Sequence, residues 1–433
     1  MKKTLKVFKF GGASIKDADS IKNVASILER FREEKLIIIV SAMGKTTNAL
    51  EKVVSAHNYG NTELARQLLD DLKKAHYQIM DALFEPGDEV YSIVNDTFVE
   101  SEWVLDEPPH ENYDFMYDQI ICVGELAASR IVSSYLNRRG LRTQWLDARD
   151  VILTDDIYRE GWVQWEETEE RYAHKVPPML ESPGFVLTQG FIATTSENAT
   201  TTLGREGSDY TAAIFSHLSD AESMTIWKDV PGVLTADPRI FDNVSKLDRL
   251  SYKEAIEMTY YGATVIHPKT IKPLQNKSIP LYVKSFVNPD GEGTVISGDV
   301  EEVYPPIVTI ERNQALLQIS TRDFSFVAEH HISQLFTLIA DQRLQVNMMQ
   351  NSAISFSVCV NDTDDKVLRF IGHIEKNFKV ILDRELQLIT VRHYTEEVLQ
   401  NLLGGKIVMM EERSRGTVQV VVKDVPVISW KAS

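Results

Sequence analysis

Apolar residues along this chain fall into short unbroken runs, helical stripes and alternating stretches, and each pattern predicts an element. Leu5-Lys-Val-Phe-Lys-Phe10 reads as a strand that breaks at Gly11 and Gly12. A helix follows through Ile21 to Phe31, with Ile21, Val24, Ile27 and Leu28 on one face. Leu36-Ile-Ile-Ile-Val-Ser41 is continuous and β-branched, as a parallel strand covered on both faces should be. Short apolar strands ending in small or polar residues return at 184–190, 223–229 and 279–285. This alternation predicts an α/β three-layer sandwich with a mainly parallel central sheet and ligands at the carboxyl ends of its strands. Residues 60–118 read as mainly helical, with an acidic stretch at Glu107-Pro-Pro-His110 that suggests a lid or an inserted subdomain. The helix from Gln119 through Asn137, closed by Gly140, is apolar along Ile120 to Ala128 except at Glu125, and a carboxylate there needs a partner.

The pattern changes near Tyr304-Pro305-Pro306. Strand 315–320, helix 331–342, strands 344–349 and 354–360, helix 365–377 and strand 379–383 give the βαββαβ order of a ferredoxin-like α+β module. A partial second copy follows with strand 386–392, helix 395–403 and strands 406–410 and 416–422. It lacks a clear second helix and fourth strand, so it is either trimmed or completed by another part of the chain or another subunit. The domains expected are 1–298, then modules at 312–385 and 386–433.

Composition narrows the partners. The 433 residues carry 46 basic against 63 acidic side chains, a formal charge of −17 that disfavours nucleic-acid backbones while leaving room for a nucleotide in a local basic cluster. Cys122 and Cys359 stand far apart without metal-ligand spacing, so no disulfide framework or zinc site is expected and a reducing cytoplasm fits. The basic start lacks the apolar core of a signal peptide, and no run reaches membrane-spanning length.

The most chemically pointed stretch is Thr202-Leu-Gly-Arg-Glu-Gly-Ser-Asp-Tyr-Thr211. Gly204 and Gly207 allow close approach to a ligand, Ser208 reads as an N-cap, and the amides of the helix that follows would point at an anion. Arg205 offers a planar fork for a carboxylate or phosphate. Asp209 places negative charge at a helix start, where it also suits a metal-bound phosphate.

Taken in order, Lys9-Phe-Gly-Gly-Ala-Ser14, Gly124-Glu125, Thr188-Gln-Gly-Phe191, the 202–209 stretch, Trp227-Lys-Asp-Val-Pro-Gly-Val-Leu-Thr-Ala-Asp-Pro-Arg239 and His267-Pro268 closely resemble the aspartokinases. The resemblance spans almost the whole chain and implies the amino-acid-kinase sandwich followed by paired ACT modules. It implies ATP-dependent phosphorylation of the L-aspartate β-carboxylate to 4-phospho-L-aspartate, opening the lysine, threonine and methionine pathway, with Mg2+ accompanying ATP. It also implies roles for single residues. Lys9 and Asp209 would be catalytic; Arg205 would hold the substrate carboxylate and Glu125 its ammonium, with Thr47 and Ser208 as further substrate contacts. Lys9, Gly11, Gly12 and Ser41 would lie at the phosphates, and Lys228, Asp229, Leu234, Arg239, Thr264 and Val265 at the nucleotide. No resident metal ligand is implied. Thr264 stands where some relatives carry lysine, with Lys228 as the replacement charge, and the 41–47 loop carries Met43 and Lys45 where small residues are common.

Attack of one anion on another needs no strong base, so positioning and charge neutralisation should dominate this chemistry. Two rival readings share the fold: a kinase of glutamate or acetylglutamate, and a catalytically weak amino-acid sensor. Arg205 with Glu125, suited to both charged groups of a free amino acid, and the ACT pair weigh against the first. The intact Lys9 and Asp209 weigh against the second. The ACT pair implies a homodimer with a lysine or threonine effector at 346–352 and the loop near 324–326, although Thr321 to Phe326 lacks the glycine relatives often place there. A chain stopping at Ser433 predicts no fused homoserine dehydrogenase domain.

Overall fold

The computed structural model describes residues 5–181, 184–263, 266–298, 300, 303–323, 325–363 and 365–424. The chain divides into two compact units, one of Met1–Val233, Lys246–Ile256 and Thr264–Glu301, the other of Leu234–Ser245, Glu257–Ala263 and Glu302–Ser433. Two short excursions thus leave the N-terminal part of the chain for the second unit, a finer division than a single break near residue 298.

In chain order the elements before the second unit's sheet are β1 (Leu5–Phe10), α1 (Ala18–Glu29), β2 (Lys35–Val40), α2 (Thr46–Asn58), α3 (Thr62–Asp81), α4 (Glu89–Asp106), α5 (Tyr113–Arg138), β3 (Thr143–Leu146), α6 (Trp165–Met179), β4 (Phe185–Gln189), β5 (Ile192–Thr194) and β6 (Thr200–Thr202). Then come α7 (Gly207–Leu218), β7 (Ser223–Lys228), β8 (Val233–Leu234), β9 (Lys246–Leu247), β10 (Arg249–Ser251), α8 (Tyr252–Tyr260), α9 (Pro268–Asn276), β11 (Leu281–Ser285) and β12 (Thr294–Ser297).

The first unit is built on a sheet of order β10-β12-β11-β7-β1-β2-β4-β3. All neighbours are parallel except β11 and β12. The unbroken apolar runs take the middle of this sheet, since only there are both faces covered by helices. Register decides where the ligand edge lies: Phe10 pairs with Val40 and Trp227, and Val40 with Gln189. Four strand ends are therefore level, and the loops after Phe10, Val40, Gln189 and Lys228 open on one edge. Residues 62–106 form neither a lid nor a subdomain. Ala65, Leu69, Met80, Val94, Phe98 and Leu105 share one apolar core with Phe8, Ile38 and Ile131. Helix α5 begins well before Gln119 because the Asn112 side chain caps the amides of Asp114 and Phe115.

The second unit contains β13 (Ile307–Thr321), α10 (Glu329–Asp341), β14 (Val346–Asn351), β15 (Ser355–Asn361), α11 (Lys366–Ile374), β16 (Phe378–Arg392), α12 (Glu396–Leu403), β17 (Lys406–Arg413) and β18 (Thr417–Asp424). They form one antiparallel sheet of order β14-β15-β13-β16-β18-β17. The stretches 379–383 and 386–392, read from sequence as separate strands, are one strand bent at Glu385, whose φ is 60°; its partner β13 bends at Asn313, φ 55°. Each long strand serves both ferredoxin-like halves. The fourth strand wanting in the second half is Ile307–Glu311, the start of β13, paired with Leu388 to Arg392. Among the described residues that half has no second helix. The excursions from the N-terminal part complete its packing: Phe241 joins Val308, Val391 and Leu399, and Thr235 O accepts the Val308 amide at 2.8 Å.

One contact tests this packing. A Cβ on Gly190 would stand 2.4 Å from Ser208 Cβ and 2.6 Å from its Cα, so Gly190→Ala must push α7 from the end of β4. The expected cost is about 1–3 kcal/mol, read as a lowered thermal midpoint. Gly372→Ala, where a Cβ meets nothing within 4 Å, is the comparison and should hold or raise it.

Candidate active site

Lys9 lies one residue from the end of β1 between Ile39 and Ile226 of the flanking strands, so its base is fixed by the centre of the sheet. Its Nζ is 2.6 Å from Asp209 Oδ1, and the two side chains are only 12% and 5% exposed. That oxygen has no partner meeting hydrogen-bond geometry, so the contact is an ion pair held by proximity rather than direction. Room for it comes from Gly11, whose Cβ would stand 3.3 Å from Lys9 Nζ. Gly12 is held more tightly, because a Cβ would meet Ala42 O at 2.6 Å. The loops after β1 and β2 are laced together there: Ser41 N donates to Phe10 O at 3.2 Å and Gly44 N to Gly12 O at 3.0 Å. Half-buried Ser41 thus sits beside the glycine turn.

Asp209 comes from the first turn of α7. Ser208 is not the N-cap expected from sequence: the helix starts at Gly207, and Glu206 takes the cap position in the left-handed region at φ 54°, with no side-chain cap. Tight packing sets this boundary, since a Cβ on Gly207 would stand 2.6 Å from the Phe191 ring. The Glu206 carboxylate instead accepts the His267 amide at 2.8 Å. The amides of Gly207 and Asp209 already donate to Gly204 O and Glu206 O at 3.0 Å, so the start of α7 offers an anion beside Lys9 the Ser208 amide and the positive end of the helix dipole. Arg205 is exposed, and no carboxylate among the described residues pairs with it.

Glu125 is buried in α5 at 3% exposure. One carboxylate oxygen accepts the Ala42 amide at 3.4 Å, and the other has no partner. Burial pushes its pKa up to about 8. Gly124 lets this approach happen, because a Cβ there would stand 2.8 Å from Thr46 Cγ2 and 3.2 Å from Ala42 Cβ. A buried carboxyl oxygen left open beside the strand ends can take a hydrogen-bond partner from a ligand.

The other residues singled out from sequence lie as follows. Thr47 is half-buried in the first turn of α2. Lys228 ends β7, its carbonyl accepting the Phe286 amide at 2.9 Å, and Asp229 is exposed in the turn beyond. Leu234 and Arg239 belong to the second unit. There the Arg239 guanidinium is held by Asp237, 2.7 Å from Oδ2, and Asp237 also accepts the Arg239 amide, which makes 237–239 a self-closed turn. Thr264 and Val265 lie outside the described residues. Direct contacts therefore join Lys9, Gly11 and Asp209, and link Glu125 to the loop that Gly12 packs against. Among the described residues they do not join Thr47, Arg205 or Asp229 to that group.

Sequence reasoning missed Asp118. Fully buried on α5, it accepts the amides of Arg159 at 2.8 Å and Thr202 at 2.9 Å, and the Thr202 hydroxyl at 2.7 Å. Burial outweighs these bonds and raises its pKa to about 6. The neighbouring Gln119 amide bonds both Thr200 O and Thr200 N. A second carboxylate two turns before Glu125 on an apolar helix was the available signal.

Residues 4–285 match the amino acid kinase family, and the chain belongs to that family. Its curated relatives include the lysine-sensitive aspartokinase 3 of Escherichia coli (strain K12), 29% identical over 82% of this chain and 78% of that one. Aspartokinase 2, chloroplastic, of Arabidopsis thaliana is 31% identical over 82% of this chain and 66% of that one. Among solved structures, E. coli aspartokinase III in complex with aspartate and ADP superposes with a TM-score of 0.82 at 25% identity, covering 96% of each chain.

The open oxygen of Glu125 has a pH signature. With its folded pKa raised to about 8 from 4.5, the folded chain holds a proton that the unfolded chain releases between those values. Stability contributed by this group therefore falls as pH rises through that window and levels off above it. Glu125→Gln has no such titration. Without ligand, the variant's stability advantage over the parent should grow from about pH 5 to about pH 8 in chemical denaturation; a pH-independent difference would show that Glu125 is ionised in the free protein.

Proposed function

We propose that this amino acid kinase transfers the γ-phosphoryl group of ATP to the β-carboxylate of L-aspartate, giving 4-phospho-L-aspartate and ADP, the first step toward lysine, threonine and methionine. The observation that carries the reading is the Lys9–Asp209 pair at the level strand ends, beside the uncapped start of α7. The E. coli relative with this fold holds aspartate and ADP.

In the reaction a carboxylate oxygen forms a bond to phosphorus while the bond from phosphorus to the bridging oxygen breaks, and ADP leaves with that electron pair. No proton has to move. Lys9 neutralises charge on the transferring group, the amides near Gly11 and Gly12 and that of Ser208 cradle its oxygens, and Asp209 fixes Lys9 in place. Glu125 receives the substrate ammonium and Arg205 its α-carboxylate, with Thr47 and Ser208 beside them. Once an ammonium fills the open oxygen, the ionised form of Glu125 is favoured. Ser41, Lys228, Asp229, Leu234, Arg239, Thr264 and Val265 are assigned to the nucleotide. Among the described residues no three His, Cys, Asp or Glu side chains gather as a metal cage, so Mg2+ is placed on the ATP phosphates with at most one or two carboxylates, a mode that suits it.

Regulation is read as feedback by lysine, in keeping with the name of the E. coli relative, or by threonine. The effector is placed against Val346 to Ser352 and the loop ending at Phe326; Phe324 lies outside the described residues. A homodimer and a cytoplasmic setting complete the proposal. Because 234–245 and 257–263 pack in the second unit, a chain cut after Gly298 would strip partners from Phe241 and Thr235. Titration of intact enzyme with lysine, threonine and methionine at low aspartate is the cleaner test of feedback: either lysine or threonine should raise the aspartate requirement.

Lys9→Met should lower turnover by roughly 100-fold or more with the fold intact. Near-normal turnover in a coupled ADP assay would remove its role. Arg205→Ala should chiefly raise the aspartate KM; a raised ATP KM alone would reverse the assignment of that residue.

A further inference from the structure

We infer that Asp118 is a positioning residue: from α5 it clamps the strand leading into Gly204-Arg205, so that one rigid helix sets the spacing between the Arg205 guanidinium and the Glu125 carboxylate. This rests on the proposed roles of those two residues as receptors for the two charged groups of the substrate.

Its carboxylate accepts amides from two separate segments, Arg159 and Thr202, and the Thr202 hydroxyl as well. Those segments also bond each other, Gly161 N donating to Thr202 O at 2.9 Å. Arg159 sits at φ 69°, a left-handed conformation that a non-glycine residue keeps only when its surroundings impose it. The same helix supplies the restraint on its side chain, since the guanidinium stacks 4.3 Å over Tyr117 and pairs with Asp114 at 3.2 Å. In turn the Arg159 carbonyl lies 3.2 Å from where a Gly204 Cβ would be, directly beneath the turn. Downstream, Gly207 N donates to Gly204 O at 3.0 Å, and α7 takes over. Between the clamped Thr202 and the helix start, the chain has little freedom in where it presents Arg205. Glu125 follows Asp118 on the same face of α5 by two helical turns, on the order of 10 Å. Both ends of an α-amino acid would thus be measured against one helix. Loss of this carboxylate would strand buried donors whatever its role; what points to recognition is that its bonds go to Thr202, which leads into the Arg205 turn, and to Arg159, whose carbonyl packs against Gly204 of that turn.

The test is a series on the full-length enzyme: Asp118→Asn, Thr202→Val and Thr202→Ser. Asparagine can keep the two amides on its oxygen but loses the carboxylate charge that strengthens them and sets its Nδ2 against the Thr202 hydroxyl; valine deletes one donor without changing shape, whereas serine keeps both. The aspartate KM should rise roughly 10- to 100-fold for Asp118→Asn, less for Thr202→Val and not for Thr202→Ser, with kcat and the ATP KM within about threefold of the parent. Amide hydrogen exchange, which needs no turnover, should quicken around 159–161 and 200–206 in Asp118→Asn and Thr202→Val while α5 stays protected. Unchanged exchange there would overturn the clamp whatever the substrate. Faster exchange with an unchanged aspartate KM would overturn the positioning role, and a parent enzyme inactive on aspartate would instead refute the proposed reaction. If Asp118→Asn fails to fold, the two Thr202 variants decide: equal aspartate KM for valine and serine contradicts the inference.

Discussion

The constraint on which the rest of the first unit depends is a cation held at the open edge of a sheet with almost no water around it. Lys9 and Asp209 lie 2.6 Å apart, both largely buried. Such a pair is a poor stabiliser, because desolvating two charges offsets much of their attraction. In the proposed reaction its value is chemical: an ammonium fixed beside a helix start, before any substrate arrives, needs no reorganisation when negative charge gathers on a transferring phosphoryl group.

Keeping that cation in place requires backbones to come closer than side chains allow. Gly11 leaves room for Lys9 Nζ, Gly12 seats the β1 loop on the β2 loop, and Gly190 seats the β4 turn on α7. Gly124 does the same for α5, carrying Glu125 to the Ala42 amide and leaving one oxygen open. Both ends of the proposed site are therefore built alike, from an ionisable side chain brought in beside a glycine.

Much of this was legible in the sequence. The unbroken runs at Leu36 to Val40 and Phe185 to Gln189 located the central strands, because only residues covered on both faces can dispense with alternation. Lys9 with two glycines, and Asp209 at a helix start, marked the pair. What stayed hidden depends on contacts between distant segments. A one-residue choice of helix start moved Ser208 off the cap, decided by the Phe191 ring against Gly207. The long strand β16 read as two pieces because the bend at Glu385 resets the alternation, and of β13 only the part beyond the bend at Asn313 was read as a strand. Asp118 was not singled out in the sequence, since its three donors come from residues 159 and 202.

The central claim, that Lys9 and Asp209 act as one unit, is tested most directly by a double-mutant cycle on kcat/KM with Lys9→Met, Asp209→Asn and the double variant. If Asp209 works by holding Lys9, the double variant should be about as slow as the slower single one, a coupling of roughly 1–3 kcal/mol or more. Losses that multiply across the two sites would contradict it.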